Sequence, residues 1–146
     1  MGIKEELVQM LNKALELEHA ARIQYLAHAE TIKGETSEKI IERLKEIAGD
    51  EEKHEGKFRN LIGNYLNGEP VMSLAPTHRA EGNKAIFEVN LKGEKEAIDF
   101  YKQIYQKVTD NKKDLQYEYE TLEHEIRHVI VDEQEHVAEL SQLLGK

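Results

Sequence analysis

Two stretches of this chain, Asp50-Glu51-x-x-His54 and Asp132-Glu133-x-x-His136, set a carboxylate and an imidazole into an apolar helical stripe. Residues three apart on a helix share a face. Glu51 and His54 therefore point the same way as Ile47 and Phe58, and Glu133 and His136 the same way as Val129 and Leu140. Two more carboxylates interrupt the apolar spacing: Glu18 follows Ala14, and Glu94 falls between Leu91 and Ala97. Burying one unpaired carboxylate costs several kcal/mol or forces it to neutralise. Any fold that buries four carboxylates and two imidazoles together must compensate them. Two divalent cations would balance four carboxylates and two neutral histidines.

The stripes predict an all-α fold, an antiparallel four-helix bundle in a single domain over residues 1–146. Apolar residues at steps of three and four place helices at about 3–33, 37–67, 84–108 and 112–144. Their stripes are Leu7, Leu11, Tyr25 and Ile32; Ile40, Leu44, Phe58 and Leu61; Phe87, Tyr101 and Ile104; Leu115, Leu122, Ile126 and Leu143. Gly34-Glu35-Thr36 and the run Thr109 to Asp114 break the pattern, and each gives a short turn. Residues 68–83 hold both prolines and make a long crossover between the second and third helices. Short, long and short connections are those of two helical hairpins packed as a bundle.

Depth agrees with this assignment. Residues equidistant from a hairpin turn lie at one height. The midpoint of Glu18 and Glu51 falls on the Gly34-Glu35 break, and that of Glu94 and Glu133 near the end of the second break. The repeat extends further: Leu15, Glu18, Ala21 and Tyr25 correspond to Leu91, Glu94, Ala97 and Tyr101. A pseudo-twofold bundle would produce such a match. The small Ala21 and Ala97 leave room beside the carboxylates. Oxygen and imidazole ligands without thiolate suit iron or manganese, and zinc is chemically allowed.

Composition narrows the function. Net charge is −9 with no clustered Lys/Arg, which argues against nucleic acid and against an anionic membrane surface. The chain has no cysteine, so disulfides, thiolate metal sites and a cysteine nucleophile are excluded. No apolar run approaches a membrane span, and the N-terminal residues lack a leader's apolar core. Residue 6 is Glu, which breaks the myristoylation pattern after Gly2. A cytoplasmic protein is expected.

With these motifs in hand, the sequence resembles the ferritin-like diiron-carboxylate superfamily, in which two helices each give a Glu and two each give Glu-x-x-His. The match spans all four helices. His on both halves looks closest to the bacterioferritins, with the rubrerythrins second. The resemblance implies that Glu51 and Glu133 bridge two metal ions, that Glu18 and Glu94 are terminal carboxylates, and that His54 and His136 bind one ion each. It implies that Asp50 and Asp132 orient the imidazoles and that Tyr25 and Tyr101 hydrogen-bond to the carboxylates. It further implies iron as the metal, Fe(II) with O2 or H2O2 as reactants, and a homo-oligomer, dimeric or larger. The activity expected is iron oxidation, with a rubrerythrin-like peroxide reductase or a non-catalytic metal-binding bundle as alternatives.

Departures refine this. The haem-binding methionine of bacterioferritins would fall at Glu52, so no haem is expected. Ala97 stands where rubrerythrins carry an extra carboxylate. The sequence stops soon after the fourth helix, which argues against a large ferritin cage.

Simpler readings stand beside these. Tyr25 and Tyr101 also fit as core aromatics, and Asp50 and Asp132 as solvated acids. His19, His28 and His78 read as ordinary histidines. His124 and His128, at i and i+4, could hold a surface metal but flank the seam. Met72 reads as packing, and Glu52, Lys53 and Glu55 as a wet face.

Overall fold

The four stripes fold into helices that run where the spacing puts their centres and depart from it at their ends. The computed structural model describes all residues, 1–146. Helix α1 spans Ile3–Ala29, α2 Ser37–Asn60, α3 Asn83–Asp110 and α4 Tyr119–Leu143. There are no strands, and the architecture is the expected all-α antiparallel bundle. Helix α1 packs along α2 and α3 along α4; across the bundle α1 meets α3 and, less closely, α2 meets α4.

The apolar core comes in two blocks. The larger gathers Leu7, Leu11 and Leu15 with Phe58, Leu61, Ile104, Leu122 and Ile126. The smaller gathers Ala29, Ile32, Leu44, Ile47, Phe87 and Leu140 at the other end. Each fully buried Leu, Ile or Phe contributes about 1.5–3 kcal/mol. Between the blocks lies a belt of Glu18, Glu51, His54, Glu94, Glu133 and His136, all buried. The apolar ends hold the helices together, so the belt need not contribute cohesion of its own.

Local chemistry explains where the helices end. Helix α1 stops at Ala29, short of the expected 33; the Thr31 hydroxyl donates to His28 O at 3.0 Å. Lys33 and Asn83 then exchange two hydrogen bonds that join this corner to the start of α3. The chain reverses at Gly34, whose φ of 107° favours glycine. Helix α2 widens into one π-type turn over Leu61–Tyr65. Gly68 follows, and a Cβ there would meet the Val8 methyls at 2.6 and 2.7 Å.

Helix α4 begins at Tyr119, later than expected. Leu115, expected within it, is fully buried but lies in the irregular segment before it, after a short turn at Lys112–Asp114. The crossover is tied to α1 turn by turn. Asn12 donates to Glu69 O and accepts from Val71 N, both at 3.0 Å, and Ala75 N donates to Glu16 O at 3.0 Å. Further along, His78 N donates to the Gln24 amide oxygen at 2.7 Å. Met72, expected to pack, is instead 94% exposed, because these ties run through the backbone on either side of it.

Candidate metal centre

The six belt residues form two overlapping sets. Glu18, Glu51, His54 and Glu133 make one; Glu51, Glu94, Glu133 and His136 make the other. Within each set the potential ligand atoms lie within 4.8 Å of one another, and Glu51 and Glu133 belong to both. His54 Nδ1 is 3.1 Å from Glu18, 3.2 Å from Glu51 and 3.3 Å from Glu133. His136 Nδ1 is 3.2 Å from Glu94, 3.3 Å from Glu133 and 3.7 Å from Glu51. The two rings are 6.5 Å apart, centroid to centroid.

The outer nitrogens are held across the bundle. His54 on α2 places Nε2 2.9 Å from Asp132 on α4, and His136 on α4 places Nε2 2.9 Å from Asp50 on α2. A proton on Nε2, donated to the aspartate, leaves the Nδ1 lone pair of a neutral ring facing the belt. These crossed bonds span the α2–α4 interface, where the two hairpins pack more thinly than at α1–α3. The tyrosines cross as well: Tyr25 on α1 donates to Glu94 at 3.0 Å, and Tyr101 on α3 donates to Glu18 at 3.1 Å. Burial, reinforced by the carboxylate charges, pushes both phenols well above their ordinary range, so they remain donors.

Electrostatics shows what the belt lacks. Burial and the charge of Glu133 push Glu18 up to about 8 and Glu94 to about 7. Burial and the surrounding carboxylates also drive Glu51 well above the carboxylate range. Burial would raise Glu133 as well, but the pull of His136 and His54 outweighs it and takes this group below that range. The same surroundings thus favour the neutral form of Glu51 and the charged form of Glu133. For the imidazoles, burial acts downward and is overcome by Glu133 with Glu18 or Glu94, so both rings are held up at about 11. Protons here do what cations would do. Both Glu51 oxygens, Glu18 Oε2 and Glu133 Oε1 are buried without a hydrogen-bond partner. Such orphaned oxygens are rare unless something else binds them, so the belt fits a pair of divalent cations.

Beside the belt, a cavity of about 250 Å³ lies between α1 and α3. Ala21, Gly93 and Ala97 line it, with Glu18, Glu94 and both tyrosines on its inner side. The small residues do leave room there.

All the site residues read from the sequence converge here: the six belt positions, both aspartates and both tyrosines. One charged neighbour departs from expectation. Glu55, expected on the wet face, is buried, where Arg22 donates to it and Arg59 lies at 3.5 Å. Its partner lies on the other helix of the hairpin, 33 residues away in sequence, so local charge could not reveal it. Asn90 is a buried polar group that the motifs do not include: it accepts from Gln24 at 2.9 Å and lies 2.9 Å from His28 Nδ1. Its signal is a polar residue where the internal repeat has Ala14.

Two helices each giving Glu and two each giving Glu-x-x-His around one buried belt define a four-helix bundle with a carboxylate–histidine centre. The chain belongs to the ferritin-like family: a family model described as a ferritin-like domain matches residues 8–146. No curated protein sequence matches it. Among solved structures, it is similar to a ferritin-like, diiron-carboxylate protein of Bacillus anthracis, at 24% identity over 99% of each chain and TM-score 0.89. The bacterioferritin of Rhodobacter capsulatus matches at 23% identity over 97% of this chain and 84% of its own, TM-score 0.83. A dodecameric thioferritin of Bacteroides fragilis matches at 22% over 97% and 86%, TM-score 0.82. At these identities the likeness is one of fold. No helix is long and apolar enough to cross a membrane.

Proposed function

We propose that the protein holds two iron ions at the belt and oxidises Fe(II) with O2 or H2O2. The observation that carries this reading is the pair of mirrored ligand sets sharing Glu51 and Glu133, with four orphaned carboxylate oxygens between them. Glu18 and His54 would serve one ion, and Glu94 and His136 the other. Bound as Fe(II), the pair supplies two electrons, enough to take H2O2 and two protons to two waters.

The chain's own residues do the positioning. Asp132 and Asp50 fix the imidazoles, Tyr101 and Tyr25 fix the terminal carboxylates, and the apolar blocks keep the belt dry at both ends. The cavity lined by Ala21, Gly93 and Ala97 gives a small oxidant room beside the site. Because Ala97 brings no further carboxylate to that cavity, iron oxidation is favoured over peroxide reduction of the rubrerythrin type. The dodecameric relative supports assembly into a homo-oligomer.

Stopped-flow absorbance after mixing metal-free protein with Fe(II) and then O2 or H2O2 tests this. Wild type should oxidise Fe(II) far faster than Glu51→Ala. Equal rates would refute the enzymatic reading, and binding without oxidation would leave a metal-holding bundle.

A further inference from the structure

His124 and His128 lie one turn apart on the outer face of α4, both exposed. Their ring centroids are 4.1 Å apart and the planes are tilted by 31°. The surrounding polar groups are engaged elsewhere. Glu123 accepts from the Tyr105 hydroxyl at 2.8 Å and from Arg127 at 2.6 Å, and Glu125 meets Lys57 at 3.3 Å. None of these bonds uses either imidazole. The five residues 124–128 read His-Glu-Ile-Arg-His. That is the spacing at which one helix face offers two imidazoles to a single zinc ion. The hydrolytic chemistry of that motif does not come with it, because Glu125 is turned to Lys57.

Position supplies a second observation. The stripe continues from His128 to Asp132 one turn on, and Asp132 is the acceptor for His54. The pair therefore stands immediately outside the outermost group of the buried belt. The internal repeat puts Glu42 and Glu46 at the corresponding places before Asp50, and Arg43 engages Glu46 at 3.2 Å. Only one half of the pseudo-twofold bundle carries free imidazoles there. Imidazole pairs select late first-row ions over magnesium or calcium. We propose that His124 and His128 form a separate surface site for a divalent cation of the Zn2+, Cu2+ or Ni2+ class, one turn outside the buried centre.

Titrating the full-length, metal-free protein with Ni2+, followed through histidine ring resonances and by bound-metal stoichiometry, tests this. The His124 and His128 signals should broaden first and together, and His124→Ala and His128→Ala should each lose one bound equivalent. Both rings are exposed and neither is hydrogen-bonded, so both variants should melt with wild type; His124→Gln repeats the test with a longer polar side chain. The response should persist in Glu51→Ala, which separates this site from the belt. Unmoved ring signals, or variants that bind the wild-type amount of Ni2+, would overturn the proposal.

Discussion

Replacing Asp132 by alanine tests whether the crossed bonds orient the imidazoles. Asp132 accepts from His54 across the α2–α4 interface at 2.9 Å, and its side chain is 46% exposed while His54 is 1% exposed. Deletion leaves a buried ring nitrogen without its acceptor, a loss of roughly 1–3 kcal/mol in a dry site. Water can enter the space that Asp132 vacates, so about 1 kcal/mol is the reasonable figure for the metal-free fold. The larger effect should fall on metal. Without the acceptor, the ring loses its fixed tautomer and orientation, and such outer partners are typically worth 10–100-fold in affinity. That is about 1.4–2.7 kcal/mol. It should be confined to the ion served by His54, leaving the His136 set at wild-type affinity. Asp50→Ala should do the reverse. Co2+ titration followed by visible absorbance and calorimetry resolves the two binding steps. If either variant weakens both steps equally, or melts lower yet binds both ions as wild type, the orienting role is refuted.

Two further outcomes follow from the same physical picture. In metal-free protein, His54 and His136 keep their protons to about 11, Glu18 to about 8 and Glu94 to about 7, against ordinary values of 6.5 and 4.5. Raised pKa values give stability below the unfolded value that is lost as pH rises through the folded one; the lowered Glu133 acts only in acid, below 4.5. The chelated protein should therefore melt lower at pH 8 than at pH 6.5, while added metal, whose binding releases these protons, should raise the melting temperature more at pH 8. Scanning calorimetry showing the opposite order would contradict this. Separately, Gly68→Ala drives a Cβ into the stiff Val8 side chain at 2.6 Å and should cost about 1–3 kcal/mol by urea denaturation, with Val8→Ala restoring part of the loss.

The belt was legible in the sequence because a helix has one period, and a charged residue on the apolar phase of that period has nowhere to go but inward. Glu18, Glu51, Glu94 and Glu133 each keep phase with apolar residues on both sides, and the repeat doubles the signal. Helix ends were less legible because tertiary contacts set them. Leu115 kept the helical phase, yet the fold uses it as a plug from an irregular segment. Glu55 sits one residue from the seam and is buried only because Arg22 of the neighbouring helix reaches it. The ties from Asn12 and Gln24 join side chains to the distant backbone of the crossover, and that from Glu16 joins backbone to backbone, so none leaves a trace in local spacing.

The most direct test of the central claim is an anaerobic Fe(II) titration of chelator-treated protein, with bound iron quantified per chain and the assembly weighed by native mass spectrometry. Two iron ions per chain in wild type, reduced in Glu51→Ala and Glu133→Ala alike because both carboxylates serve both ions, is the predicted result. Wild-type protein that binds no iron, or binds the same amount after either substitution, would contradict it.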